Sequence, residues 1–206
     1  MSKNKPTHRP EARSDLRFAI VASRYNSKHV DHLISRVRQT LRESKVPANG
    51  IDITRVPGAN ELPYIANMLA LTGDYDCIIT LGVVIAGETP HHEIIANGTA
   101  TALQAIGINT QVPVINGIIV TNNEAQADER VFGETDRGAE FALAALDIAA
   151  SGLRLARYLE ELDRDDIERE RNEEIFGSNF LHDEDDEDDD APGGFSFGGN
   201  NPFHKN

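Results

Sequence analysis

The chain predicts an α/β fold in which a four-stranded parallel sheet lies between two layers of helix. Three observations carry that expectation. Four short apolar runs, at 16–23, 51–56, 77–85 and 112–120, alternate with stretches of helical apolar spacing. The third run, CIITLGVVI, is almost continuously apolar, as a strand covered on both faces should be. Strands that alternate with helices in this way argue for a parallel sheet sandwiched between helix layers.

Taken in order, LRFAIVAS (16–23) is the first strand, broken by the polar Arg24, Tyr25 and Asn26. Val30, Leu33, Ile34, Val37 and Leu41 then recur at helical spacing with charges between them. Ile51–Val56 is the second strand, closed by Pro57-Gly58, and Glu61–Leu71 follows as a helix ending near Gly73. Cys77–Ile85 is the third strand, broken by Gly87. A helix is expected to start near Pro90, a residue suited to a first helical turn. Val112–Val120 is the fourth strand, and its Asn116-Gly117 pair predicts a bulge or kink. Two helices are expected last, at 123–131 and 137–159.

The chain has 206 residues and a formal charge of −14, unevenly spread. Residues 1–17 carry a net +3, residues 18–159 a net −4 and residues 160–190 a net −14. Three parts follow: a polar extension (1–15), one α/β domain (16–159) and an acidic, low-complexity tail (160–206). Glu–Arg spacing, with Asp165–Arg169 as one pair, allows the last helix to continue beyond 160. The eight consecutive carboxylates Asp183–Asp190 repel one another, so disorder is expected there.

The weakly anionic body offers no basic field for nucleic acid. No apolar run reaches the roughly 18 residues of a spanning helix, so no membrane partner is expected. The polar N-terminus lacks the apolar stretch of an export signal, and one cysteine, Cys77, permits no internal disulfide. A cytoplasmic location is therefore expected.

Right-handed crossovers place all strand C-termini on one edge, where ligands of such sheets bind. The polar clusters 23–26, 58–61 and 87–92 fall there, as does the region past strand four. The chain lacks GxSxG, GxGxxG, GxxxxGK[ST], HExxH and CxxC motifs. Cys77, in mid-strand, reads as core. His91 and His92 diverge by about 100° on a helix, and His29 and His32 have no third ligand nearby, so no metal site is expected. The latter pair reads as a solvated helix face. Gly87-Glu88-Thr89-Pro90-His91 sits between a strand end and a helix start, where unpaired amides and the helix dipole favour an anion. Thr89 offers either a ligand hydroxyl or an N-cap. His91 suits proton transfer near neutral pH, although a histidine at a helix start is commonly only structural. Arg130 and Arg137 are candidate anion clamps, or ordinary solvated arginines.

Five pieces, in order, resemble the lumazine synthase family: AIVASRYN (19–26), VPGANELP (56–63), YDCIITLGVVIAGETPHHEIIAN (75–97), VPVINGIIVTNNEAQADERV (112–131) and DRGAEFALAALDIA (136–149). The resemblance spans about 16–158. It implies a three-layer α/β/α flavodoxin-like fold and the penultimate step of riboflavin synthesis. That step condenses 5-amino-6-(D-ribitylamino)uracil with 3,4-dihydroxy-2-butanone 4-phosphate, releasing phosphate and water, with no cofactor or metal. Carried over position by position, Tyr25 stands where the family's aromatic stacks on the pyrimidine. Ala59, Asn60 and Glu61 stand where the ribityl chain is held, and Val84 and Ile85 line the ring site. Gly87, Glu88 and Thr89 correspond to the phosphate turn, His91 to the proton-transfer histidine and Arg130 to the phosphate arginine. Arg137 stands in for a lysine. The family's sites lie between pentamer subunits, with Asn116 at a position reaching the neighbouring site. The resemblance allows a pentamer or a sixty-subunit shell.

The pattern also departs from the family's. Ala86 stands where arginine is usual, Asn60 and Asn116 where apolar or aromatic residues are common, and His92-Glu93-Ile94 replaces an aromatic–acid–aromatic trio. Two other readings compete with an active synthase: an inactive homologue binding ligand or building a shell, and an assembly protein working through its acidic tail.

Overall fold

A computed structural model describes residues 14–179, with side chains to 173. The elements are β1 (Phe18–Ser23), α1 (Ser27–Glu43), β2 (Ile51–Val56), α2 (Leu62–Ala70), β3 (Cys77–Ile85), α3 (His91–Thr110), β4 (Val114–Thr121), α4 (Glu124–Phe132) and α5 (Arg137–Asn179). Two 3-10 turns complete the set, Ala48–Gly50 leading into β2 and Ala59–Glu61 into α2. The chain divides into two units, 1–157 and 158–206.

All strand pairs are parallel, in the order β2-β1-β3-β4. That is the flavodoxin-like order without its last strand. The order reverses between β1 and β3, the switch point outside whose strand C-termini sheets of this kind bind ligands. β1 is buried along its whole length, and its alternate residues feed two cores. Phe18, Ile20 and Ala22 pack with Val30, Leu33 and Val37 of α1, Val131 of α4 and Phe141 and Leu146 of α5. Ala19 and Val21 pack on the opposite face with Leu62 and Ala66 of α2 and Leu103 and Ile106 of α3. The period-two alternation of a strand thus builds both layers.

The expected kink at Asn116-Gly117 is absent. β4 pairs with β3 without interruption from Ile78–Val114 to Ile85–Thr121. The glycine serves a close approach instead: a Cβ at Gly117 would stand 2.5 Å from Thr80 O and 3.1 Å from Phe141 Cδ2. The first strand begins at Phe18 and the fourth at Val114, each two residues later than the apolar runs suggest.

The second unit contributes the helical stretch 158–179, so the Glu–Arg spacing does continue the last helix beyond 159. Among the described side chains of this stretch Arg169 pairs with Asp166, at 3.2 Å, rather than with Asp165. The acidic run 183–190 and most of the polar extension lie outside the described residues. No helix among the described residues is long and apolar enough to cross a membrane.

Candidate active site

At the C-terminal edge, β1 passes into α1 through Asn26, whose backbone is left-handed (φ 52°, ψ 45°). Asparagine tolerates that conformation better than most residues. Its Nδ2 donates to Val83 O of β3 at 2.8 Å, across the point where strand order reverses. The amide of Arg24 reaches Val56 O at 2.9 Å and that of Tyr25 reaches Pro57 O at 3.3 Å, so the loops after β1 and β2 form one wall.

Tyr25 is 73% exposed and leaves an open ring face. A Cβ at Gly58 would stand 3.4 Å from Tyr25 Cδ2 and 3.0 Å from Glu61 Oε2, so glycine permits both to close over the backbone. Glu61 Oε2 accepts from the Gly58 amide at 2.8 Å, fixing the turn that starts α2. Ala59 is buried, while Asn60 and Glu61 are exposed. Asn60, Glu61 and Tyr64 line a groove of about 420 Å³ along the end of β2.

From β3, Val84 and Ile85 are half-buried and face opposite layers. The Ala86 amide donates to Thr121 O at 2.8 Å, joining the ends of β3 and β4. Gly87, Glu88, Thr89 and His91 are all exposed, and a Cβ at Gly87 would meet nothing within 4 Å. Pro90 is the N-cap of α3 and no side chain caps it. The N-cap role open to Thr89 is therefore not taken: its carbonyl lies 3.2 Å from His92 Nδ1 instead.

Three expected site residues stand away from this edge within the single chain. Asn116 lies in mid-strand opposite Thr80, and its Oδ1 accepts from the Ile118 amide at 3.1 Å. Arg130 occupies the last turn of α4 and donates through Nη1 to Gln126 O at 3.1 Å. Arg137 begins α5, where it pairs with Glu140 and lies 5.0 Å from the Phe141 ring centre.

Other residues escaped the sequence reading. Arg55 donates through Nη2 to Ser23 O at 2.9 Å and through Nη1 to Asp31, bracing the ends of β1 and β2. A lone arginine in the strand IDITRV was its one signal. His29 and His32 do not form a solvated face. His29 is 4% exposed with Nε2 2.8 Å from Asp128 Oδ1, and His32 packs edge-on against Phe132. Helical spacing on α1 could not reveal this because α4, some hundred residues later, supplies the partners. Burial pushes the Cys77 thiol far up, in keeping with a core residue. No group of three or more His, Cys, Asp or Glu among the described residues could hold a metal.

The sequence profile described as "6,7-dimethyl-8-ribityllumazine synthase" matches residues 15–151. Curated relatives carry the same name. One from Xanthomonas oryzae pv. oryzae (strain PXO99A) is 41% identical over 133 residues, covering 64% of this chain and 86% of the relative. One from Xylella fastidiosa (strain M12) is 39% identical over 135 residues, covering 65% and 88%. The match embraces every strand and every loop at the C-terminal edge, so this chain is an enzyme belonging to the 6,7-dimethyl-8-ribityllumazine synthase family.

Proposed function

We propose that the protein condenses 5-amino-6-(D-ribitylamino)uracil with 3,4-dihydroxy-2-butanone 4-phosphate to give 6,7-dimethyl-8-ribityllumazine, phosphate and water. The observation that carries this reading is the joint closure of Tyr25 and Glu61 over Gly58 beside the Asn26–Val83 bond. It sets an exposed aromatic face, a carboxylate and a strand end around one crevice.

Each residue then has a physical task. The Tyr25 ring stacks on the flat pyrimidine at the end of β3, where Val84 and Ile85 stand on opposite faces of the strand. Ala59, Asn60 and Glu61 take the ribityl hydroxyls; a carboxylate already bound by one amide still has acceptor capacity for a sugar chain. Gly87, Glu88 and Thr89 bring backbone amides and a hydroxyl to the phosphate at the start of α3, aided by the helix dipole. Of Glu88 only the backbone amide suits an anion, since its carboxylate repels one. His91 transfers protons during imine formation, dehydration and ring closure. Arg130 stabilises the departing phosphate, with Arg137 as a second cation.

Arg130 and Asn116 stand away from the crevice of their own chain. We therefore place them in the site of an adjacent subunit, in a homopentamer or a shell of sixty. No cofactor or metal enters the reaction, and the enzyme works in the cytoplasm on small molecules.

Incubating the purified protein with both substrates and following lumazine fluorescence tests the reading. The expected result is product well above the uncatalysed rate. No product above that rate overturns it in favour of an inactive, ligand-binding homologue.

A further inference from the structure

The segment 128–137 carries both arginines assigned above to the phosphate, and α1 grips it at two points. His29 and Arg36 stand seven residues apart on α1 and so share one helix face. His29 Nε2 meets Asp128 Oδ1 at 2.8 Å, two residues before Arg130. Arg36 Nε lies 3.1 and 3.2 Å from the two carboxylate oxygens of Asp136, the residue before Arg137. Between these points Phe132 rests 5.2 Å from the His29 ring. A Cβ at Gly138 would stand 2.6 Å from Arg36 Cβ and 3.3 Å from Leu33 O, so the first turn of α5 lies directly on the same face.

Otherwise α4 is held by apolar packing, Ala127 and Val131 in the core and Phe132 against His29 and His32. It has nine residues and buries only Ala127 and Val131. A helix that short draws its stability from tertiary contacts. His29–Asp128 is the one polar side-chain bond between α1 and α4 among the described residues. Because Arg130 is anchored to Gln126 O inside α4, it moves with that helix. Asp136 has a left-handed backbone (φ 42°), and its Oδ1 also accepts from the Ala139 amide at 3.3 Å, so the Arg36 pair fixes where α5 starts.

We propose that His29 and Arg36 are positioning residues that set the enzyme's phosphate affinity by holding the arginine-bearing segment in register. The inference rests on the assignment of Arg130 to the phosphate. Neither residue touches substrate; each acts through the carboxylate it grips.

The test uses the full chain in its native assembly, with both substrates varied in turn and inorganic phosphate titrated calorimetrically. His29→Leu and Arg36→Ala are expected to raise the phosphate Kd and the KM for the phosphorylated substrate about five- to twentyfold. The KM for the pyrimidine should stay within about twofold. His29→Gln, whose amide can donate to Asp128, should recover most of the loss. Asp128→Ala removes the same bond from a half-exposed position and serves if His29→Leu does not fold. Phosphate Kd and KM unchanged in these variants overturn the inference, as does an equal rise in both KM values with a lowered Tm. Wild-type protein that binds phosphate but forms no lumazine sinks the synthase reading alone, since the Kd comparison still decides the role of α1. An unchanged phosphate Kd in Arg130→Ala removes the phosphate assignment and this inference with it.

Discussion

The side-chain amide of Asn26 donates to Val83 O at 2.8 Å and thereby bridges β1 and β3 where the strand order reverses. Two demands meet at that residue: a left-handed backbone and a donor long enough to cross the crevice. Asn26→Gly satisfies the first and Asn26→Gln the second. Asn26→Ala satisfies neither and should cost about 2 kcal/mol, from one lost hydrogen bond and the left-handed strain. Urea unfolding of the three variants checks this, with Asn26→Ala expected to be the least stable.

His91 is exposed at the start of α3, and no hydrogen bond or ion pair with another described residue ties its ring into the fold. His91→Ala is accordingly expected to slow turnover about a hundredfold or more while leaving Tm and subunit assembly unchanged. Single-turnover rates and sedimentation velocity measure the two effects separately. Turnover at the wild-type rate would remove His91 from the proposed chemistry.

Gly117 and Gly87 should respond oppositely to alanine. At Gly117 the added methyl runs into Thr80 O, a backbone atom of the central sheet, and Gly117→Ala is expected to destabilise by about 2 kcal/mol or more. At Gly87 there is open space, so Gly87→Ala should leave the thermal midpoint within about a degree or two. Its effect, if the turn binds phosphate, should appear in the KM for the phosphorylated substrate. Differential scanning calorimetry and steady-state kinetics together test the pair.

The hydrogen bond from Arg36 holds the Asp136 carboxyl below the usual carboxylate range, reinforced by the Ala139 amide and opposed by partial burial. A carboxyl depressed in the folded state contributes stability above its unfolded pKa and loses it as pH falls through the folded value. The pair should therefore lend about 1 kcal/mol at neutral pH, a modest amount because both side chains are about a third exposed. Asp136→Asn should be less stable than wild type at pH 7, and the gap should close below the ordinary carboxylate range. Urea midpoints between pH 7 and pH 3 check it; a gap constant with pH would show that the charge contributes nothing.

Much of the fold was legible because its signals are local. The run CIITLGVVI is almost continuously apolar because β3 lies between β1 and β4 with helices on both faces, and its bounds match the expectation residue for residue. The break at Arg24–Asn26 and the turn at Pro57-Gly58 also announce themselves in neighbouring residues. By contrast, Asn116-Gly117 carries the signature of a bulge but forms regular strand, since the deciding atom, Thr80 O, belongs to another strand. The burial of His29 depends likewise on Asp128 and Phe132, far along the chain.

By itself, then, the sequence determined the parallel α/β class, the edge at which the polar clusters gather and, through five motifs in order, the family. Those properties follow from periodicity, turn residues and spacing, each of which acts over a few residues. Tertiary structure decided which polar residues serve as braces between elements and which stay exposed at the C-terminal edge. It turned Asn26, Arg55 and His29 into cross-links and set Asn116, Arg130 and Arg137 away from the crevice of their own chain. A side chain's role there depends on the partner brought within about 3 Å by the crossovers, and no local pattern records that partner.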